Sequence, residues 1–238
     1  MRMNFKQRSE REEIMDNYDG SKETLKAVLK DITRVNKILG GNSITVDAVF
    51  RLIRENRRES YTILDMGCAD GNMLRLLADK ARKEQVVVKL IGVDLSEDAL
   101  EIARKASETY PEISYSKKNI LSDDFSDFRV DIVITTLTMH HFKDVDILKF
   151  IRQFIKLSAI GIVVNDLQRS RLAYYLFQIF SLIFIKTKVA KIDGLISISK
   201  GFRKRELETF ASALKGVSHT IEWKWAFRYV WVMRKMRL

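Results

Sequence analysis

Apolar positions change their period along the chain. Leu25, Val28, Leu29, Ile32, Val35, Ile38 and Leu39 recur at helical spacing until Gly40 and Gly41 interrupt them, which predicts an amphipathic helix. Val46, Val49, Phe50 and Ile53 predict the buried stripe of a second, shorter helix. From Tyr61 short apolar runs alternate with amphipathic stretches: residues 62–66 then 73–81, 86–93 then 99–106, 130–136 then 145–157, and finally 160–164. Strand-length runs separated by helix-length ones predict βαβ units and a parallel sheet covered on both faces. Residues 204–214 predict one more helix. Residues 217–232 favour β structure, with Trp223, Trp225, Phe227, Tyr229 and Trp231 at every second position. Two antiparallel strands turning near Ala226 and Phe227 suit such a sheet better than one long strand, and the aromatic stripe is expected to be a core face.

Residues 172–185, LAYYLFQIFSLIFI, hold only Gln178 and Ser181 as strongly polar positions, and Lys186, Lys188 and Lys191 follow. A spanning helix needs about twenty apolar residues, so this run is too short to cross a bilayer. A core helix, a lid over a site or an interfacial helix remain open, and the basic flank keeps the last in view.

Composition narrows the classes. At 238 residues, 46% hydrophobic and 31% charged, the chain suits one well-filled core and is neither disordered nor collagen-like. Its single cysteine, Cys68, excludes an intramolecular disulfide and a cysteine-rich zinc site. The charged start MRMNFKQRSEREE lacks the apolar stretch of a secretory signal, so a cytoplasmic location is expected. The formal charge of +11 points to nucleic acid or an anionic membrane.

The strongest chemical signal is ILDMGCADGN, residues 63–72. An apolar strand carries Asp65, then Gly67, Ala69 and Gly71 alternate before a helix. Small residues let the backbone turn sharply and let a ligand approach main-chain N–H groups at a helix N-terminus. The spacing differs from the dinucleotide fingerprint, whose glycines fall at relative positions one, three and six. Asp94 ends the next strand, 23 residues after Gly71, where a carboxylate can accept from both ribose hydroxyls. Lys118, Asn119, Ile120 and Leu121 form a third block, and residues 128–142, FRVDIVITTLTMHHF, a fourth.

In order and separation these blocks resemble the motifs of class I S-adenosylmethionine-dependent methyltransferases. The resemblance implies a Rossmann-like α/β fold: a seven-stranded, mostly parallel sheet with its last strand antiparallel, helices on both faces, an N-terminal helical extension and a helical cap after strand five. It divides one domain into N-terminal helices (1–58), a cofactor-binding core (59–166), a cap (167–202) and a last helix with an antiparallel strand pair (203–238). It implies S-adenosylmethionine as cofactor and S-adenosylhomocysteine as product. Asp65 is then expected at the cofactor's ammonium, and Gly67, Cys68, Ala69 and Gly71 around its amino acid end. Asp94 and Leu95 belong to the ribose strand end, Asn119 and Ile120 to the adenine, and Thr136 and Leu137 to the sulfonium end. Ala69 replaces a usual glycine, and Asn119 a usual aspartate whose part its side-chain carbonyl can take. Cys68 is expected as a small residue rather than a catalyst.

His140 and His141 follow the fourth block, where a side chain can face the transferred methyl. A histidine near neutral pKa suits removal of a phenol or hydroxyl proton, and His141 is slightly preferred. Capping of the next helix and packing on the adenosine are the alternatives. Asp166 and Arg169 are expected either to contact substrate or to form an ion pair with each other. Asp193, Gly194 and Ser197 are expected to close over the cleft, and no metal is expected. Phe177, Ile179, Phe180, Ile183 and Phe184 are expected to roof an apolar acceptor site. That favours O-methylation of a hydrophobic or aromatic small molecule, with C-methylation of an activated ring needing the same base. The lone proline, Pro111, excludes a Pro-Pro-aromatic turn, which disfavours nucleobase amine methylation and hence nucleic acid as the partner. An RNA methyltransferase using its basic surface, and a non-catalytic membrane-surface protein on the same fold, are the rival readings. A basic surface reaching anionic lipid, with a greasy substrate entering from it, reconciles the charge with the apolar helix.

Overall fold

The computed structural model describes residues 4–236. A one-turn 3-10 helix, Ile14–Asn17, precedes α1 (Lys22–Ile38), which Ser21 caps by accepting from the Thr24 amide at 3.2 Å. Gly40, in a left-handed conformation, turns the chain into α2 (Gly41–Glu55). Then β1 (Ser60–Met66), α3 (Asn72–Glu84), β2 (Val87–Asp94), α4 (Glu97–Ala106), β3 (Ile113–Lys117) and β4 (Val130–Thr136) alternate. A second 3-10 turn, Met139–His141, leads into α5 (Asp144–Leu157) and β5 (Ser158–Leu167). Two consecutive helices, α6 (Arg171–Phe184) and α7 (Lys188–Lys200), and then α8 (Lys204–Ser212) precede the hairpin of β6 (Val217–Lys224) and β7 (Arg228–Lys235).

The sheet runs β3-β2-β1-β4-β5-β7-β6, with β7 antiparallel to both neighbours and every other pairing parallel. Both faces are covered, which is why the central strands are apolar at consecutive positions. Ile63 and Leu64 are each fully buried, in two different core clusters: Ile63 with Phe50, Leu74 and Val163, and Leu64 with Val133, Phe150 and Trp231. Strand order reverses between β1 and β4, opening a crevice beyond their carboxy ends.

The aromatic stripe divides at the hairpin turn. Tyr229 and Trp231 on β7 are buried, whereas Trp223 and Trp225 are 48% and 64% exposed. Only β7 lies between two strands; β6 is an edge, and the turn stands clear of the core.

Candidate active site

A cleft of about 960 Å3 opens at the strand-order reversal, walled by the loops after β1, β2, β3, β4 and β6, by α1, and by α6 and α7. The loop after β1 is held by the neighbouring strand: the Gly67 and Cys68 amides donate to the Val93 carbonyl at 2.9 and 3.0 Å. Gly67 and Gly71 have φ of +81° and +71°. A Cβ at Gly67 would meet Thr138 Oγ1 at 2.5 Å, and one at Gly71 would overlap the Tyr115 hydroxyl. Ala69 shares the left-handed region at φ +47°, a conformation that costs an L-residue about 1–2 kcal/mol.

Asp65 lines this cleft at 2% exposure, and its Oδ1 is buried with no hydrogen-bond partner. Desolvation, with the Asp94 charge behind it, pushes its pKa up to about 8. A buried acceptor without a donor beside a cradle that excludes side chains fits an ammonium-bearing ligand. Asp94 Oδ2 accepts from the Ala69 amide and Oδ1 from the Ser96 amide, both at 2.9 Å. A carboxylate's remaining lone pairs stay available to two hydroxyls. Leu95 and Ile120 face the same space, Leu95 at 61% exposure. Asn119 lines it too, but its carbonyl oxygen accepts from the Leu121 amide at 2.9 Å, so one lone pair is committed to its own turn. Thr136 Oγ1 lies 3.0 Å from Thr45 Oγ1, and Leu137, at φ +56°, donates its amide to the Asn165 carbonyl. Burial holds the Cys68 thiol well above its usual pKa, consistent with packing rather than nucleophilicity.

The two histidines stand in different surroundings. His140 is 2% exposed, with Nδ1 2.7 Å from Asp166 Oδ1 and Nε2 3.5 Å from Glu13 Oε1. Desolvation opposes its charge, but Asp166 and Glu13 together outweigh it and raise its pKa to about 9. His141 is half-buried on the cleft, with Nδ1 2.7 Å from Asp16 Oδ1. That contact turns Nδ1–H toward the carboxylate and leaves Nε2 as the neutral ring's acceptor. Lys200, buried, reaches Glu13 at 3.5 Å and Asp16 at 3.3 Å. Glu13, His140 and His141 also offer metal-ligand atoms within 4.8 Å of one another, with the Lys200 ammonium already beside the Glu13 carboxylate.

The N-terminal segment that supplies Glu13 and Asp16 is tied down at several points. Arg8 donates to the carbonyls of His140 and Phe142 at 2.8 and 2.9 Å, and Asp193 accepts from the Ile14 and Met15 amides at 2.8 and 3.0 Å. Ser197 donates to Glu13 at 2.9 Å. Asp193 and Ser197 therefore hold this strap, and it is the strap that supplies the acids at the histidines.

Other expectations are corrected. Asp166 lies behind His140, which stands between it and the cleft. Arg169 turns away from the cleft altogether: it pairs with Glu206 through both terminal nitrogens, 2.5 and 3.0 Å, and donates to the Gly201 carbonyl. The two do not pair with each other: Asp166 is engaged by His140 and Arg169 by Glu206. Phe177 and Phe180 line the cleft as expected, but Ile179 and Ile183 point outward at 61% and 72% exposure. Helical spacing places 179 and 183 on the face opposite 173, 177 and 180. Glu13, Asp16, Lys200 and Arg228 are site residues that the sequence did not mark, since nothing local distinguishes them from other charged positions.

Residues 63–161 match the family described as "Methyltransferase domain". Together with this sheet order and cleft, the match marks residues 63–161 as a methyltransferase domain of the S-adenosylmethionine-dependent type. Among solved structures, the plantazolicin methyltransferase BpumL, in complex with a monoazolic desmethylPZN analog and SAH, superposes with a TM-score of 0.70 at 14% identity, over 94% of this chain and 93% of that one. The magnesium protoporphyrin IX methyltransferase ChlM from Synechocystis PCC 6803 with bound SAH gives 0.58 at 16% identity, over 85% and 87%. Among curated proteins, a carboxy-S-adenosyl-L-methionine synthase of Campylobacter jejuni is 35% identical over 79 residues, 33% of this chain and 31% of its own length. A Bacillus subtilis protein named for 23S rRNA (guanine-N(1)-) methylation is 28% identical over 102 residues, 41% of this chain and 34% of its own length. The chain thus spans about a third of the length of the curated relatives it matches.

Proposed function

We propose that this protein transfers a methyl group from S-adenosylmethionine to an oxygen of a hydrophobic or aromatic small molecule. The observation that carries this reading is His141, oriented by Asp16 at the wall of a cleft that also holds the orphaned Asp65 carboxylate and the Phe177 and Phe180 rings. Bound S-adenosylmethionine supplies an electrophilic methyl on a sulfonium. Asp65, Gly67, Ala69, Gly71, Asp94, Leu95 and Ile120 hold it, and Asn119 borders its base. His141 Nε2 accepts the acceptor's hydroxyl proton as the oxygen becomes nucleophilic, and Asp16 stabilises the imidazolium formed. His140, already paired with two carboxylates, serves as a fixed charge that positions the turn. The apolar roof excludes water and aligns the acceptor.

Incubation with labelled methyl donor and a cell extract, followed by partition, tests the acceptor class. Label in the organic fraction is expected; label confined to RNA or protein would overturn the reading. His141→Ala is expected to lower turnover by about 100-fold or more with S-adenosylhomocysteine affinity unchanged. Loss of cofactor affinity instead would make His141 a wall of the adenosyl pocket.

The exposed face of α6 favours a membrane as the acceptor's source. Leu172, Tyr175, Leu176, Ile179, Leu182 and Ile183 share one face at 45–72% exposure. From 170 to 192 the chain carries Arg171, Lys186, Lys188 and Lys191 and no acid. No helix among the described residues is long and apolar enough to cross a membrane. An apolar stripe with cations at both ends suits the interface of an anionic bilayer. Flotation with phosphatidylcholine vesicles should require added phosphatidylserine and should fail for Ile179→Glu/Ile183→Glu. Indifference to either change, or binding to RNA alone, refutes bilayer docking.

A further inference from the structure

Arg228 opens β7 and lines the cleft, 2% exposed. Its Nη2 donates to Asn36 Oδ1 at 2.7 Å, while Nε and Nη1 are buried without a hydrogen-bond partner. Among the described residues no carboxylate forms an ion pair with it. The nearest acid by its influence, Asp166, is engaged by the ring and amide of His140 and by the Leu167 amide. Burial strips this guanidinium of water and pulls its pKa down to about 10 against the attraction of Asp166. A buried cation with open donors is costly unless an anion joins it.

The surroundings make room for the guanidinium. A Cβ at Gly41 would fall 2.6 Å from Arg228 Cζ, so any other residue at the start of α2 would displace the guanidinium. The Gly41 carbonyl accepts from Asn165 Nδ2 at 2.9 Å, which places the group near the end of β5. That is two strands from β1, on the order of 10 Å across the sheet. An amino acid's ammonium and carboxylate share one carbon. Asp65 feels the charge of Asp94 and not that of Arg228, so a cofactor whose ammonium sits at Asp65 leaves the guanidinium open to a second anion. Leu39, Trp225 and Phe227 line the same cleft, so the anion belongs to a ligand with an apolar body.

We propose that Arg228 binds a carboxylate carried by the methyl acceptor, anchoring an otherwise apolar molecule so that its oxygen lies at His141. This rests on the methyl-transfer reading and adds a charge to the acceptor class: an apolar or aromatic acid rather than a neutral phenol or a cation.

Binding of 2-naphthoate and of 2-naphthamide to the full chain, with and without S-adenosylhomocysteine, tests it. Naphthoate is expected to bind the wild type at least about tenfold more tightly than the amide. Arg228→Gln is expected to erase that preference, Arg228→Lys to restore part of it, and both to keep S-adenosylhomocysteine affinity within about twofold. Equal binding of the two probes by the wild type, or binding of neither, overturns the proposal. So does a loss of S-adenosylhomocysteine affinity of about tenfold or more in Arg228→Gln, which would hand the guanidinium to the cofactor's own carboxylate. The two-probe comparison on the wild type decides even if Arg228→Gln does not fold. Absence of S-adenosylhomocysteine binding by the wild type would instead refute methyl transfer, and the naphthoate preference remains measurable without it.

Discussion

Asp65 and His140 are displaced from their ordinary pKa values for opposite reasons, and each displacement has a measurable consequence. With a pKa of about 8, Asp65 in the free protein is mostly protonated at pH 7. An ammonium placed against its orphaned oxygen favours the charged form, so cofactor binding at pH 7 should release roughly 0.9 proton from this group. Calorimetry in buffers of differing ionisation enthalpy reads that release, and Asp65→Asn should abolish it while weakening binding. A release that survives in Asp65→Asn would assign the proton elsewhere. His140 is raised to about 9 from a normal value of 6.5. A raised pKa means that the folded state holds the proton more tightly, so its stabilisation is complete below about pH 6.5 and is lost as pH rises through about 9. Thermal unfolding between pH 6 and 10 should show this decline in the wild type and a flatter profile in His140→Gln. Glu13 and Asp166, whose pKa values are lowered, lose their part on the acid side instead. Asp65 was legible from sequence because an acid two positions before a glycine-rich turn is a local pattern. Its protonation was not, because that depends on which strands bury it.

At the scale of elements, the alternation of apolar runs and amphipathic stretches located β1, β2, β4 and β5 and the helices α3, α4 and α5 but passed over the short, half-buried β3, and the hairpin turned at residues 225–227, where the two-strand reading put it. The N-terminal strap was invisible. Residues 5–17 are mostly polar and have no period, and their placement depends on Arg8, Asp193 and Ser197, two of which lie more than 170 residues along the chain. Asp193→Ala removes the acceptor of two backbone amides, with an expected cost of about 1–3 kcal/mol in urea unfolding. Faster proteolysis near Ile14 should accompany it. Unchanged cleavage there would show that the strap is held by Arg8 and Ser197 alone. Helix α6 was ambiguous for a different reason: a helix apolar on every side has no stripe to say which face is covered. The structure puts Phe177 and Phe180 on the cleft and Ile179 and Ile183 in solvent.

For the whole molecule, the sequence alone determined the class of the sheet, the small-residue loop after β1 and the acid that ends β2. These depend on neighbours in the chain: a strand, a turn of small residues and a helix N-terminus follow one another within ten residues. Only the tertiary structure decided the charge pattern of the cleft. Asp16 comes to His141 from 125 positions away, Glu206 claims Arg169, and Arg228 arrives from the final strand with two donors unmet. The reason is physical. Backbone conformation and apolar period are local and leave a trace in consecutive residues. The partner of a buried charge is set by the sheet order that brings distant strand ends together, and the one-dimensional pattern of charges is the same whichever partner is found.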